Sequence, residues 1–322
     1  MGLKAYKGFD KNMKCRGFQF AEGETYHEES AVLGKCGFHA FEMPIGVLSR
    51  YKPGDGAIYR EVELDEVAPE KEDGERCGKT IKIGAELGIG DLVAAQIEWV
   101  KRRIESEVKP KWANRLRSSA SHFKFGLARD PDAFGAAQAT GDFSAAQTSG
   151  NYSAAQETGQ YGAVLANGIE SAAQATGACS AVQVFGNRAA SQASGFGSAV
   201  YASGVLCTAQ ATGTYSAVHT SGHRGAAQAN GDYSAAQASG FGSAAQVSGA
   251  CSTAQASGAY AVATAAGSNC RVKGALGCAL FAVEREEFTN EIISAAAAIV
   301  DGEEIKADTW YECRNGKLEE VN

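Results

Sequence analysis

Between Asp132 and Gly277 the apolar and polar positions recur every nine residues. Fifteen glycines carry the period, from Gly141 and Gly150 to Gly258 and Gly267, and Asp132 holds the same place one step earlier. Clear copies read Gly231-Asp-Tyr-Ser-Ala-Ala-Gln-Ala-Ser239 and Gly141-Asp-Phe-Ser-Ala-Ala-Gln-Thr-Ser149. A flexible Gly-rich linker has no reason to keep such a period, so the order marks a repeat fold.

Counted from the glycine, column 4 is Ser, Gly, Ala or Cys (Ser144, Gly162, Cys207, Ser252), and column 5 is nearly always Ala. Column 6 is Ala or Val with one Ser (Ala146, Val164, Val182, Ser191, Val200), and column 7 is Gln in eleven of fifteen copies. Strand side chains alternate between faces, so columns 4 and 6 share one face while 5 and 7 share the other. The misfits decide which face is inside. Leu165, Tyr201, His219 and Thr264 in column 7, and Arg271 in column 5, do not fit a core whose neighbours are Ala. Columns 4 and 6 therefore point inward and the Gln column outward.

Those misfits also set the coil. If two units make one 18-residue turn, one face carries Gln138, Gln156, Gln174, Gln192, Gln210, Gln228 and Gln246, ending at Thr264. The other carries Gln147, Leu165, Gln183, Tyr201, His219, Gln237 and Gln255, which gathers three of the four exceptions on one face. A triangular coil of three units would scatter them. A corner every nine residues needs positive φ or close backbone approach, which glycine supplies. Stacked at ~4.8 Å, about eight coils make a rod of roughly 40 Å.

The flanks differ. Residues 1–75 read as a small α/β domain with short strands near Lys4–Tyr6 and Tyr59–Leu64, and 76–113 as a linker strand and helix. Asp91 is a candidate N-cap before Leu92, Val93, Ile97, Val100, Ile104 and Val108 at helical spacing. The helix runs into Lys101, Arg102, Arg103, Lys109, Lys111, Arg115 and Arg117, read as a solvated helix end rather than a nucleic-acid patch. Residues 114–277 form the solenoid, with degenerate units at 114–122 and 123–131 as its first coil. Residues 278–322 form a β cap with a strand at 280–283 and a hairpin across Asn315-Gly316. An exposed solenoid end is an open sheet edge, so a cap is expected. The fold class is thus mainly β: a nonapeptide-repeat β-solenoid between a small N-terminal domain with its connecting helix and a β cap.

Composition adds compartment and excludes some chemistry. Nine cysteines are scattered without a CxxC pair, which implies reduced thiols rather than a disulfide framework or zinc site. No apolar segment suits a signal peptide or a membrane span, so a cytoplasmic protein is expected. The formal net charge of −7 gives no sign of a nucleic-acid partner. From Asp132 to Gly267 five acidic residues (Asp132, Asp142, Glu157, Glu170, Asp232) face Arg188 and Arg224, too weak a field to mimic DNA. The rod lacks the Asp of calcium-binding nonapeptide turns, and His219 and His223 have no further donors nearby in sequence. No metal, cofactor or catalytic residue is assigned.

Lys4-Ala-Tyr-Lys-Gly-Phe-Asp10, Cys15-Arg-Gly-Phe-Gln19, Gly37-Phe-His-Ala-Phe41, Tyr51-Lys-Pro-Gly54 and Ile81-Lys-Ile-Gly-Ala-Glu86 resemble the opening of an uncharacterised family from bacteria and their phages. Val272-Lys-Gly-Ala-Leu-Gly-Cys278 and Ile305-Lys-Ala-Asp-Thr-Trp-Tyr311 resemble its closing segments. The Gln column departs from relatives that carry Thr or Val. The resemblance implies a phage or prophage setting and brings no activity.

The function expected from sequence is a non-enzymatic structural or protein-binding scaffold. Its recognition surface would be the irregular face with Leu165, Tyr201 and His219, plus Phe196 and Tyr215 near the corners. The partner would be another copy, giving a homo-oligomer, or a host protein. An inhibitor of a bacterial defence system is the alternative. A further alternative places an enzyme in the N-terminal domain, where Tyr6-Lys7-Gly8 and Gly37-Phe38-His39 are loosely similar to ADP-ribosyltransferase-like folds. That reading needs a late catalytic Glu, for which Glu284 and Glu287 are the candidates.

Overall fold

The structure, a computed structural model, describes residues 2–68, 74–107, 121–122, 127–130, 136–286 and 289–321. Strands of four or five residues recur from Ala136–Thr140 to Arg271–Gly274. Each pairs in parallel with the next strand but one, so that Gln156 lies opposite Gln174 and Gln183 opposite Tyr201. The coil is therefore 18 residues, and alternate units build two sheets of 11 strands each, cap strands included. Ser121–His122 pairs with Ala139–Thr140 and Leu127–Asp130 with Ala145–Thr148, so the degenerate units do enter the first coil. The rest of 114–131, including Arg115 and Arg117, lies outside the described residues, as do Lys109 and Lys111.

Ser144, Ala146 and Thr148 are all buried, so column 8 joins columns 4 and 6 in the interior. The small donor in column 4 has a specific task. Ser171, Ser243 and Ser252 donate to the carbonyls of Gly150, Gly222 and Gly231, the corner glycines one coil earlier, at 3.2, 2.9 and 3.2 Å. The thiols of Cys207 and Cys270 do the same to Gly186 and Gly249 at 2.7 and 3.0 Å. Cys can stand in for Ser in this column because a small donor is what a buried carbonyl requires.

Close approach explains the glycines. A Cβ on Gly177 or Gly222 would fall inside contact distance of the carbonyl oxygen of Gly159 or Gly204. Gly141, Gly168, Gly186 and Gly204 also have positive φ, and each corner has a left-handed residue in column 3, at Phe143 (φ 57°), Tyr161 (φ 60°), Tyr215 (φ 59°) and Tyr233 (φ 54°) among others. Left-handed backbone costs a non-glycine roughly 1–2 kcal/mol. Ring stacking along the corner offsets part of it, with centroids 5.0 Å apart for Phe143–Tyr161 and 5.4 Å for Tyr215–Tyr233.

One interior position breaks the pattern of small, uncharged side chains. Glu157, in column 8, is fully buried, and its Oε1 accepts from Ser144 Oγ at 2.9 Å while Oε2 has no partner. Room for it comes from Gly162 in column 4, where any Cβ would overlap the carboxyl group. Burial, only partly opposed by the Ser144 bond, pushes this carboxyl up to about 8.

The N-terminal domain is a small antiparallel barrel. Strands Thr25–His27, Glu75–Leu87, Phe38–Phe41, Leu3–Phe9 and Ile58–Val67 pair in that order, and Glu75–Leu87 also pairs with Ile58–Val67 to close it. Ala5, Phe9, Phe20, Phe38, Val62, Leu64, Ile81 and Ile83 fill the interior. Two corrections follow. Up to Leu87 the described residues form strands and two 3-10 turns, and the only α component of this region is the helix Ile89–Glu107. Strand Glu75–Leu87, expected as a linker, is the staple of the barrel. Asp91 sits inside the helix's first turn and accepts from Gly88 N at 2.9 Å, so the helix starts earlier than an Asp91 cap implies.

At the other end Ala279–Arg285 continues one sheet and Ile292–Ile299 folds back on it antiparallel. Tyr311–Arg314 joins the second sheet at Val272, and its hairpin partner Lys317–Glu320 turns through Asn315 and Gly316, both with positive φ. Leu280 and Tyr311, both buried, close the last coil with larger side chains than the regular columns of the rod use.

Two outcomes test this interior. Ala227→Leu, in column 6, should cost ~1–3 kcal/mol or abolish folding, while Gln228→Leu beside it should melt within a few degrees of wild type. A severe loss at Gln228 with a mild one at Ala227 in thermal melts reverses the inside and outside faces. Glu157 keeps its proton in the fold up to about 8, whereas an ordinary carboxyl gives it up near 4.5. The contribution of Glu157 to folding stability is therefore fully present below 4.5 and is lost as pH rises toward 8, by a total on the order of 4 kcal/mol. Glu157→Gln should remove that decline in urea titrations; equal slopes for both proteins between those pH values refute it.

Candidate functional site

The two sheets share one sequence pattern but not one environment. On the sheet with Gln147, Leu165 and Tyr201, the column 5 residues Ala145, Ala163, Ala181, Ala199 and Ala217 are buried beneath Leu92, Val93 and Ile97 of the helix and Ile45, Val47 and Leu48 of the barrel's 3-10 turn. On the other sheet the equivalent Ala154, Ala172, Ala190, Thr208 and Ala226 are exposed. The N-terminal domain thus lies along one face of the rod.

The candidate face is where it docks. Strands 163–167, 181–185, 199–203 and 217–220 all touch the helix. Tyr201 is half-buried there, close enough that a Cβ on Gly90 would meet its ring at 3.0 Å. Its hydroxyl shares a hydrogen bond with Ser221 Oγ at 2.8 Å, and its ring stands edge-on to His219 at 5.3 Å. His219 Nε2 bonds Ser239 Oγ at 3.1 Å. Burial pushes this imidazole below its ordinary value, against the pull of the Asp91 carboxylate, so it is neutral at pH 7. Leu165 is half-buried on the same face. Tyr215 carries the Lys52 ammonium at 5.3 Å from its ring centroid, with Tyr233 at 3.6 Å. Phe196 remains 45% exposed, edge-on to Tyr215 at 5.0 Å. The structure pairs Tyr201 with His219 and Phe196 with Tyr215, and places Tyr201, His219 and Tyr215 against the chain's own N-terminal domain.

The uncovered sheet is a ridge beside a trough. Gln156 Nε2 donates to Gln174 Oε1 at 3.2 Å and Gln174 Nε2 to Gln192 Oε1 at 3.3 Å, an amide ladder along the rod. The exposed alanines beside it floor a trough of about 530 Å3 running from Ala154 to Gln228. Glu157, the one charged residue of these strands, points inward, so the face is uncharged. Nothing in the sequence separates this alanine column from the buried one; only the irregular residues opposite mark which side is covered.

Tyr6-Lys7-Gly8 and Gly37-Phe38-His39 come together in the barrel, where Lys7 Nζ donates to His39 O at 2.7 Å. The expected late glutamate does not join them. Glu284 is in the C-terminal cap, accepting from Ser294 Oγ and Asn315 N, and Glu287 lies outside the described residues. The carboxylates beside Lys7 and His39 are Glu28 and Glu75. Among the described residues no helix is long and apolar enough to cross a membrane, and no cluster of three His, Cys, Asp or Glu could hold a metal.

Residues 3–95 match the model of a domain of unknown function, DUF7666. The match spans the barrel and the first turns of the helix and ends before the solenoid, in keeping with the resemblance to an uncharacterised family. No curated protein and no solved structure matches the chain.

Removing the anchors should free the helix without melting the rod. Leu165→Ala with Tyr201→Ala should lose about 1–3 kcal/mol of docking and speed amide exchange of residues 89–99 by roughly ten- to hundredfold. Unchanged exchange in that segment, with an unchanged solenoid melt, means the helix is held by something else.

Proposed function

We propose that this protein is a non-enzymatic structural scaffold whose uncovered Gln/Ala sheet pairs with the same sheet of a second copy. The carrying observation is the difference between the faces: one is sealed by the chain's own helix and barrel, the other is flat, uncharged and open. A neutral face can be desolvated without leaving an unpaired charge. Its ridge and trough are self-complementary, because a two-fold axis sets the Gln ladder of one copy into the alanine trough of the other. Paired sheets with interlocking amide ladders are a stable arrangement. Eight strands at ~4.8 Å by four residues at ~3.3 Å offer about 500 Å2 per copy, so the pair buries roughly 1,000 Å2, near the lower bound of a specific interface. Phe281 and Ile299, 44% and 65% exposed, extend the apolar surface at the cap end.

A phage or prophage origin belongs to this reading through the sequence resemblance, and genomic neighbourhood tests it. For the pairing, native mass spectrometry and light scattering at micromolar concentration should give a dimer. Gln192→Glu with Gln210→Glu should give a folded monomer, since it places like charges across the two-fold. A monomeric wild type, or a charged variant that dimerises unchanged, refutes it. A monomer that instead captures a host defence protein through this sheet supports the inhibitor reading.

A further inference from the structure

The barrel holds a cleft of about 670 Å3 that the scaffold reading leaves unused. Its floor carries Lys7, 5% exposed, on strand Leu3–Phe9. Lys7 Nζ donates to His39 O and lies 5.7 and 5.9 Å from the ring centroids of Phe9 and Phe20. Among the described residues no carboxylate comes within ion-pair distance of it. The two carboxylates of the cleft are engaged elsewhere: Glu28 accepts from Gly37 N at 2.7 Å, and Glu75 pairs with Arg50 at 3.6 Å. Arg16 and Lys35 add two more cations to the lining. Phe18, Phe20, Phe38 and Phe41 supply flat apolar surface, and Phe18 is half exposed although the rings around it are packed.

A buried ammonium without a counter-ion is costly, and two things can offset the cost: loss of the proton, or an anion from outside. Burial does push Lys7 below its ordinary value, against the opposing influence of Cys15 and Glu75. Cys15 in turn shares a hydrogen bond with Tyr51 Oη at 2.7 Å. The cleft therefore combines surplus positive charge at its floor and rim with aromatic walls, in a volume suited to one small molecule.

We propose that this cleft binds a small planar anion, an aromatic ring bearing a carboxylate or phosphate, with Lys7 as its buried counter-ion and Phe18 and Phe38 against its ring. The anion enters beside Arg16 and Lys35, its charged group reaches Lys7 Nζ, and its ring replaces water on the phenyl faces. Binding holds the proton on Lys7, so affinity falls as pH rises through the range where the empty cleft would release it.

The test uses the full chain and ligand-observed NMR with 2-naphthoate, 2-naphthyl phosphate and the uncharged 2-naphthalenemethanol. Both anions should bind at least about tenfold more tightly than the alcohol, and their ratio separates carboxylate from phosphate preference. Lys7→Met should lose about tenfold or more for the anions and nothing for the alcohol, and Phe18→Ala should weaken all three. Circular dichroism checks that Lys7→Met folds; if it does not, Arg16→Gln should weaken the anions alone by a few-fold. The proposal is overturned if no probe binds, if the alcohol binds as tightly as the anions, or if every folded variant binds the anions like wild type.

Discussion

The structure depends on how closely one coil can lie upon the next. At each corner the backbone of one glycine rests against the carbonyl of the glycine a coil earlier, leaving no room for a Cβ. That contact fixes the period and the narrowness of the rod. A narrow rod admits mainly small side chains, Ala, Ser, Cys, Thr and Val, which bury little apolar area each, so ladders of backbone hydrogen bonds carry much of the order. The inward Ser and Cys of column 4 belong to the same constraint, since the packed carbonyls would otherwise be buried without donors. Glu157 shows its limit: a large acidic side chain enters only where Gly162 removes a neighbour, and only with its proton.

Covering the two sheets differently turns a symmetric rod into a molecule with a front and a back. The helix and the 3-10 turn supply large side chains, Leu92, Ile97, Ile45 and Leu48, that the rod cannot hold internally. They are spread over five alanines in successive coils, a docking strip that a regular repeat provides without altering its own core. Tyr201 and His219 then act as the irregular features that seat the helix in one position along an otherwise repetitive track.

Much of this was legible in the chain. The period of nine, the 18-residue coil, the inward columns, the first degenerate coil and the cap hairpin at Asn315-Gly316 all follow from strand alternation and turn chemistry. The exceptions Leu165, Tyr201 and His219 distinguish one face from the other, but a sequence does not say whether the partner of a surface is another molecule or the same chain. The barrel was harder to read because strand Glu75–Leu87 pairs on one edge with its predecessor Ile58–Val67 but on the other with Thr25–His27 and Phe38–Phe41, far away in sequence, and no local periodicity records that closure. The cleft left a trace in the density of Gly, Phe and His near Gly37, without the spacing that would have tied Lys7 to it.

The alternation of units between two sheets also constrains how the chain can change length. Loss of a single nine-residue unit would leave a perfectly regular repeat, yet every strand after it would switch to the opposite sheet. If the loss fell between Gly150 and Gly195, Tyr201 and His219 would move to the open side and Gln210 and Gln228 would take their places beneath the helix. Loss of two consecutive units keeps every later strand on its own side and merely shortens the rod by one coil, about 4.8 Å. Repeat number is therefore a parity-bearing quantity in this fold: even changes preserve the identity of the faces, and odd ones exchange them.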